Sequence, residues 1–441
     1  MSHSRLGGED GAWLHMEDAT NPMVINGLLE LAAPLDPARI TRALRERVAH
    51  LDRFRMRATE GFGGARWDFD PEFDVSRHVE HVTLEPSLED AALRTFIGAQ
   101  VSRLLPRDRP LWRVFVVDRP GAGSVLLYRV HHAIADGFAL LGVLLSLCEN
   151  AGVHDAPTSH SVPARAPDTL DATLALGRIA LLSADPHTAL KGPLTTEKRV
   201  AWSEPLSLDR VKATARACNA TVNDVLVATA TGALRSYLAR RGDDVAHLEV
   251  RAMLPVNLRR GMDAGTLGNH FGLFVLALPV SGADAGARLA VVKRRMNALK
   301  SSPEAVVTHG ILRAMGWAPR VVEDLGVEFF GKKASLVLTN VPGPRERLVL
   351  CGVPVTRIMF WVPQSGRMGL GISIFSYAGE VTLGVISDAG LLPDPERFAA
   401  DLHVELAALE AFARHEEAHA GQMPRRADPT WATTASNERT S

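Results

Sequence analysis

His131, His132, Ala133, Ile134, Ala135, Asp136 and Gly137 gather two imidazoles and a carboxylate into one short stretch. A histidine of ordinary pKa, near 6.5, takes up a proton at neutral pH and returns it, and a positioned base of this kind is worth on the order of 10²–10⁴-fold in rate. The stretch follows the apolar run Ser124–Val130 and precedes the apolar run Phe138–Leu147, so a strand hands over to a buried helix there. Adjacent strand residues point to opposite faces, so at most one of the two histidines lines a given pocket. Asp136 is placed to orient the loop, to fix the His132 tautomer, or to cap the helix beginning around Gly137. On these residues alone, catalysis and a purely structural loop both remain open. A serine nucleophile finds no support: Gly371, Ile372, Ser373 and Ile374 are followed by Phe375, so a G-x-S-x-G elbow fails at its second glycine.

The elements that must position these groups alternate along the chain. Met23–Leu31 is β-rich. Asp36–Leu51 starts with an acidic cap and Pro37 at the first helical position, and His78–Leu84 reads as a strand. A helix over Ser87–Leu105 leads to a hairpin, Leu111–Val117 and Ser124–Val130, turned at Asp118, Arg119, Pro120 and Gly121. Gly152, Pro157, Ser159, Ser161, Pro163 and Pro167 then accumulate without periodicity, which marks a linker. Helices are expected at Ser207–Ala217, Val222–Arg240, Asp284–Lys300, Pro303–Leu325 and Pro395–Arg414, with strands at Leu248–Leu254, at Phe271–Leu278 and at three further places before the last helix. Helices segregated from hairpin strands favour an α+β fold over a doubly wound parallel sheet. The expected division is residues 1–150, a connecting segment 151–199, residues 200–420 and a disordered tail 421–441.

Composition narrows the function classes. The 441 residues carry 49 Lys+Arg against 50 Asp+Glu, without the basic excess of a nucleic-acid binder. The longest apolar runs, Phe138–Leu147 and Phe271–Val280, fall well short of the roughly 20 residues of a spanning helix, and Met1–Met16 lacks the apolar core of a signal peptide. Cys148, Cys218 and Cys351 are too scattered for a disulfide framework or a cysteine-based zinc site. A cytoplasmic protein is expected, with room for peripheral contact with lipid.

H-H-A-I-A-D-G resembles the H-H-x-x-x-D-G signature of the bacterial wax ester synthase/acyl-CoA:diacylglycerol acyltransferase family, within the CoA-dependent acyltransferases. Further segments match that family in order: Pro110-Leu111-Trp112, Asn223-Asp224 within Thr221–Val225, Leu254–Arg259, Gly268-Asn269, and Thr339–Pro344, which includes Asn340, Pro342 and Gly343. Ser376, Tyr377, Gly379 and Asp388 match its C-terminal strand pair. The resemblance implies two chloramphenicol-acetyltransferase-like domains with the active-site tunnel between them. It implies direct acyl transfer from acyl-CoA, a co-substrate rather than a cofactor, to the hydroxyl of a long-chain alcohol or diacylglycerol. His132 matches the general base, His131 its supporting neighbour and Asp136 an architectural carboxylate. No metal is implied, and membrane or lipid-droplet surfaces are the natural sites of peripheral contact. Condensation-type enzymes acting on carrier-bound thioesters share the H-H-x-x-x-D-G motif and form an alternative, as does a silent lipid-binding protein.

Other motifs carry two readings each. Trp112 either lines an acyl tunnel or fills the core. Asn223 is a natural helix N-cap, and Thr339 and Asn340 either face the developing oxyanion or belong to a domain-crossing turn at Asn340–Pro344. His415–His419 spells H-E-x-x-H, but at a helix end with no third ligand in view a solvated surface is expected. His78 and His81 are expected at the surface. Among Arg259-Arg260, Arg294-Arg295 and Lys332-Lys333, solvated charge is the default for each pair, although CoA phosphates would need some such partner.

Overall fold

The computed structural model describes residues 4–61, 64–85, 90–151, 169–259, 267–318 and 320–422. Two mixed sheets dominate. The first has six strands in the order Val349–Leu350, Val353–Trp361, Val24–Leu31, Gly123–His131, Trp112–Arg119 and Val79–Thr83. The second runs Phe271–Leu278, Val250–Asn257, Leu336–Pro342, Leu370–Tyr377, Glu380–Asp388 and Lys198–Trp202, with the short strand Leu206–Ser207 beside Glu380–Asp388. A small third sheet joins Ser4–Arg5, Gly64–Phe69 and Met56–Gly61.

The expected hairpin forms, with its strands extended to Trp112–Arg119 and Gly123–His131. Gly123 must be glycine, because its φ is +79° and a Cβ there would lie 2.4 Å from the Leu31 carbonyl. Asp36 caps the helix Pro37–Arg47 through the Ala38 N–H. The single helix expected over Pro303–Leu325 is instead two, Glu304–Met315 and Arg320–Lys333, broken around Gly316. The final helix continues past Arg414 to Gln422.

The first sheet is not built from the first part of the chain alone. Val353–Trp361, expected within the 200–420 domain, pairs antiparallel with Val24–Leu31 in that sheet. Its side chains explain the crossing: Ile358 and Phe360 join the core beneath the first sheet, while Met359 and Trp361 face a shared core. That shared core holds Leu28, Phe115 and Leu127 from one sheet and Val200, Trp202 and Ile386 from the other, so the two sheets pack together through it. Entry into the second sheet is pinned by a buried ion pair, Lys198 Nζ to Asp388 Oδ2 at 2.6 Å. The linker residues 152–168, Arg260 and residues 423–441 of the expected tail lie outside the described residues.

Candidate active site

His132 directly follows the strand Gly123–His131, and its backbone N–H still donates to the Met23 carbonyl at 2.8 Å, so sheet pairing fixes where it sits. His131 is wholly enclosed, whereas His132 retains 8% exposure. The alternation of the strand turns the two rings to opposite faces, and of the two only His132 keeps any exposure.

The proton on the His132 ring can be placed from its neighbours. Nδ1 lies 2.8 Å from Asn269 Oδ1. Asn269 Nδ2 donates to Asp10 Oδ1 and to the His132 carbonyl, each at 2.8 Å. Both of those are acceptors, so the amide nitrogen is committed to them and its oxygen faces the ring. An amide oxygen only accepts, so Nδ1 carries the proton and Nε2 keeps the free lone pair. Burial pushes the His132 pKa down to about 4, an effect that Asp136 and Asn269 offset only in part. The imidazole is neutral at pH 7, the state a general base requires. Trp13 stacks on the ring with centroids 4.0 Å apart and planes 18° apart, and Phe271 closes a second side at 5.7 Å.

Asp136 is occupied with architecture. It caps the helix Gly137–Leu147 through the Ala139 N–H at 3.1 Å and accepts the His270 N–H at 3.0 Å. The Arg259 guanidinium reaches both of its oxygens, at 2.5 and 2.7 Å, and donates also to the Gly268 carbonyl. The pair is buried, so Arg259 is no solvated surface charge; it ties the motif loop to the second half of the chain. On the opposite face, His131 Nδ1 accepts the Ala133 N–H and its Nε2 stands 3.3 Å from Glu17 Oε1. Burial raises the Glu17 carboxyl, but His131, the Met23 N–H and Arg107 outweigh it and hold the group below its ordinary range.

Beside the motif an apolar cleft runs between the two halves. Ile25, Tyr128, Ile358 and Phe360 line it from the first sheet, Gly137, Leu140, Leu141 and Leu144 from the helix, and Val341 and Phe375 from the second sheet.

The remaining sequence candidates scatter. Asn269, expected as a substrate contact, does lie at the site, where it hydrogen-bonds the His132 ring. Pro110, Leu111 and Trp112 are buried in the first core, where the Trp112 ring stacks on His78 at 4.2 Å and its Nε1–H donates to the Phe54 carbonyl. His78 is accordingly buried rather than on the surface, its Nδ1 2.9 Å from the Trp112 carbonyl, and burial lowers its pKa. Thr221, not Asn223, caps the helix Val222–Arg240, with Asp224 completing the reciprocal capping box. Asn223 Oδ1 instead accepts from Asn340 Nδ2 at 2.8 Å. Thr339, Asn340 and Pro342 extend a strand rather than forming a turn, and Gly343 leaves it so close to Phe375 and Ser376 that no Cβ would fit. His415–His419 falls within the last helix, and among the described residues no group of histidine, cysteine and carboxylate side chains could hold a metal. No helix among the described residues is long and apolar enough to cross a membrane.

Asp10, Trp13 and Arg53 were missed by sequence reasoning, and Arg259 was named only as part of a family segment and of a basic pair with solvated charge as its default. Asp10 and Trp13 sit on the helix Gly8–Met16, which is buried around most of its girth and so shows no amphipathic stripe.

Two mixed sheets, a motif histidine beside their seam and an apolar cleft define a two-domain, chloramphenicol-acetyltransferase-like acyltransferase. Residues 6–179 match the wax ester synthase/diacylglycerol acyltransferase catalytic domain, and residues 267–410 match the C-terminal domain of the same family. The chain belongs to the wax ester synthase/diacylglycerol acyltransferase family. It is 24% identical to the probable diacylglycerol O-acyltransferase tgs1 of Mycobacterium tuberculosis, over 92% of this chain and 96% of that protein. It is 28% identical to the probable diacylglycerol O-acyltransferase tgs2 of the same organism, over 91% and 97%. Its fold is similar to the wax ester synthase/diacylglycerol acyltransferase of Marinobacter aquaeolei VT8, with a TM-score of 0.72 at 24% identity over 93% of this chain and 100% of that one. A starter condensation domain of rhizomide synthetase gives a TM-score of 0.63 at 16% identity, over 93% and 94%.

Proposed function

We propose that this acyltransferase moves a long acyl group from acyl-CoA to the hydroxyl of a fatty alcohol or a diacylglycerol, with His132 as general base. The observation that carries this reading is the neutral His132, its Nδ1–H turned to Asn269 and its Nε2 without a protein partner among the described residues, in a motif whose Gly137 borders an apolar cleft between the two sheets. Nε2 takes the alcohol proton as the oxygen attacks the thioester carbonyl. The C–S bond then breaks, and the CoA thiolate recovers the proton from His132. A thioester is already activated, so no covalent acyl-enzyme is needed. The match to both domains of the wax ester synthase/diacylglycerol acyltransferase family supports a hydrocarbon substrate over a polar one. Exposed Leu174, Leu181, Trp317, Val322 and Leu325 support uptake of such substrates at a membrane or droplet surface.

The test mixes the protein with palmitoyl-CoA and either hexadecanol or diacylglycerol and follows free thiol and ester product. Turnover with either alcohol supports the reading; thiol release only with an amine acceptor would replace it with condensation-type chemistry, which the fold likeness to condensation domains keeps in view. Tight acyl-CoA binding without turnover on any acceptor would leave a lipid-binding protein.

A further inference from the structure

Asp10 lies far from the motif in sequence, yet among the described residues it is the one carboxylate bonded to Asn269, which orients the His132 ring. Its Oδ1 accepts from Asn269 Nδ2 at 2.8 Å, and its Oδ2 meets the Arg53 guanidinium at 2.8 Å. Arg53 in turn donates to the carbonyls of Ile134 at 3.0 Å and Ala133 at 3.3 Å, inside the motif loop itself. Gly268 makes room for this arrangement: its φ is +109°, and a Cβ there would stand 3.3 Å from the guanidinium. Trp13, which stacks on the His132 ring, rides on the same short helix as Asp10.

We infer that Asp10 and Arg53 are positioning residues that select the His132 tautomer through the orientation of the Asn269 amide. An ionised carboxylate can only accept hydrogen bonds, so it draws the amide nitrogen of Asn269 toward itself and leaves the amide oxygen for His132 Nδ1–H. Arg53 favours that acceptor-only state: burial raises the Asp10 carboxyl above its ordinary range, Arg53 and Asn269 offset the rise in part, and a protonated Asp10 could donate instead. With a donor in place of Asp10, Asn269 can turn over. Its nitrogen would then face Nδ1, the ring proton would move to Nε2, and the lone pair that accepts the alcohol proton would be lost.

The inference rests on His132 being the base, and the experiment separates the two. The chain has 16 histidines, so ¹⁵N-histidine-labelled protein is compared with its His132→Ala variant to identify the His132 ring signals. Wild type is expected to show protonated Nδ1 and unprotonated Nε2. Asp10→Asn is expected to give a mixture of tautomers and a fall in kcat of about 10- to 100-fold with KM little changed, less than the roughly 10⁴-fold seen where a tautomer is fully wrong. Should Asp10→Asn fail to fold, Arg53→Gln, which removes the cation and leaves the carboxylate, is expected to give the same mixture. An unchanged ring signature in the variant that folds overturns the inference even if kcat falls. Full turnover in His132→Ala would instead overturn the base assignment, leaving the tautomer measurement to stand as structure alone.

Discussion

His131 and His132 are neighbours in the chain and belong to different parts of the molecule. Among the described residues, the partners of the His131 ring, Glu17 and the Ala133 N–H, come from the first sheet's own half, and the side chain has no exposure. His132 is held by Asn269 and Phe271 from beyond the linker and by Trp13 from the N-terminal helix. One imidazole is core and the other is assembled across a seam. Burial by itself therefore does not single out the histidine proposed as base; what distinguishes it is a ring whose tautomer is fixed from one side while its other nitrogen has no protein partner among the described residues.

The widest separation between the two should come from removing each ring. His132→Ala is expected to lower turnover by about 10²–10⁴-fold with the fold retained, read as thiol release alongside circular dichroism. Next in size is the seam itself. Arg259→Gln leaves Asp136 buried without its cation and should cost about 3–5 kcal/mol in chemical denaturation, together with activity; a stable, fully active variant would show that the seam does not depend on this pair. Acid should act on the His132 side. Its folded pKa of about 4 lies below the unfolded value of 6.5, so the unfolded chain binds the extra proton. Stability is then expected to fall as pH drops from 6.5 toward 4, by up to about 3 kcal/mol, and His132→Ala should remove that part of the loss; kcat/KM should hold until pH approaches 4. The smallest effect is expected for His131→Ala, about 1–3 kcal/mol of stability from the unpaired Ala133 N–H and the weakened hold on Glu17, with turnover per folded molecule within a few-fold of wild type. A larger loss of rate than of stability in that variant would erase the contrast.

Much of this contrast was legible in the sequence. Strand alternation through Val130, His131 and His132 already requires opposite faces, and the position of Asp136 before Gly137 already suggests a cap. The helix break at Gly316 was not read, because helical periodicity on either side concealed it. What periodicity cannot show is a contact such as Asp10 to Asn269 or Asp136 to Arg259, which depends on how two halves dock and leaves no local pattern. Asn269 illustrates the middle ground: its type and place stood out, but only the acceptors around its amide reveal that its oxygen holds the His132 ring.

The strand Val353–Trp361 has a consequence for how the chain comes to be made. Until residues past 361 have left the ribosome, Val24–Leu31 lacks one neighbour and presents an open, largely apolar edge. The first 150 residues are thus expected to wait for the rest before the sheet that carries His132 is complete, so a fragment ending at the linker should aggregate, and nascent chains should need shelter in that interval.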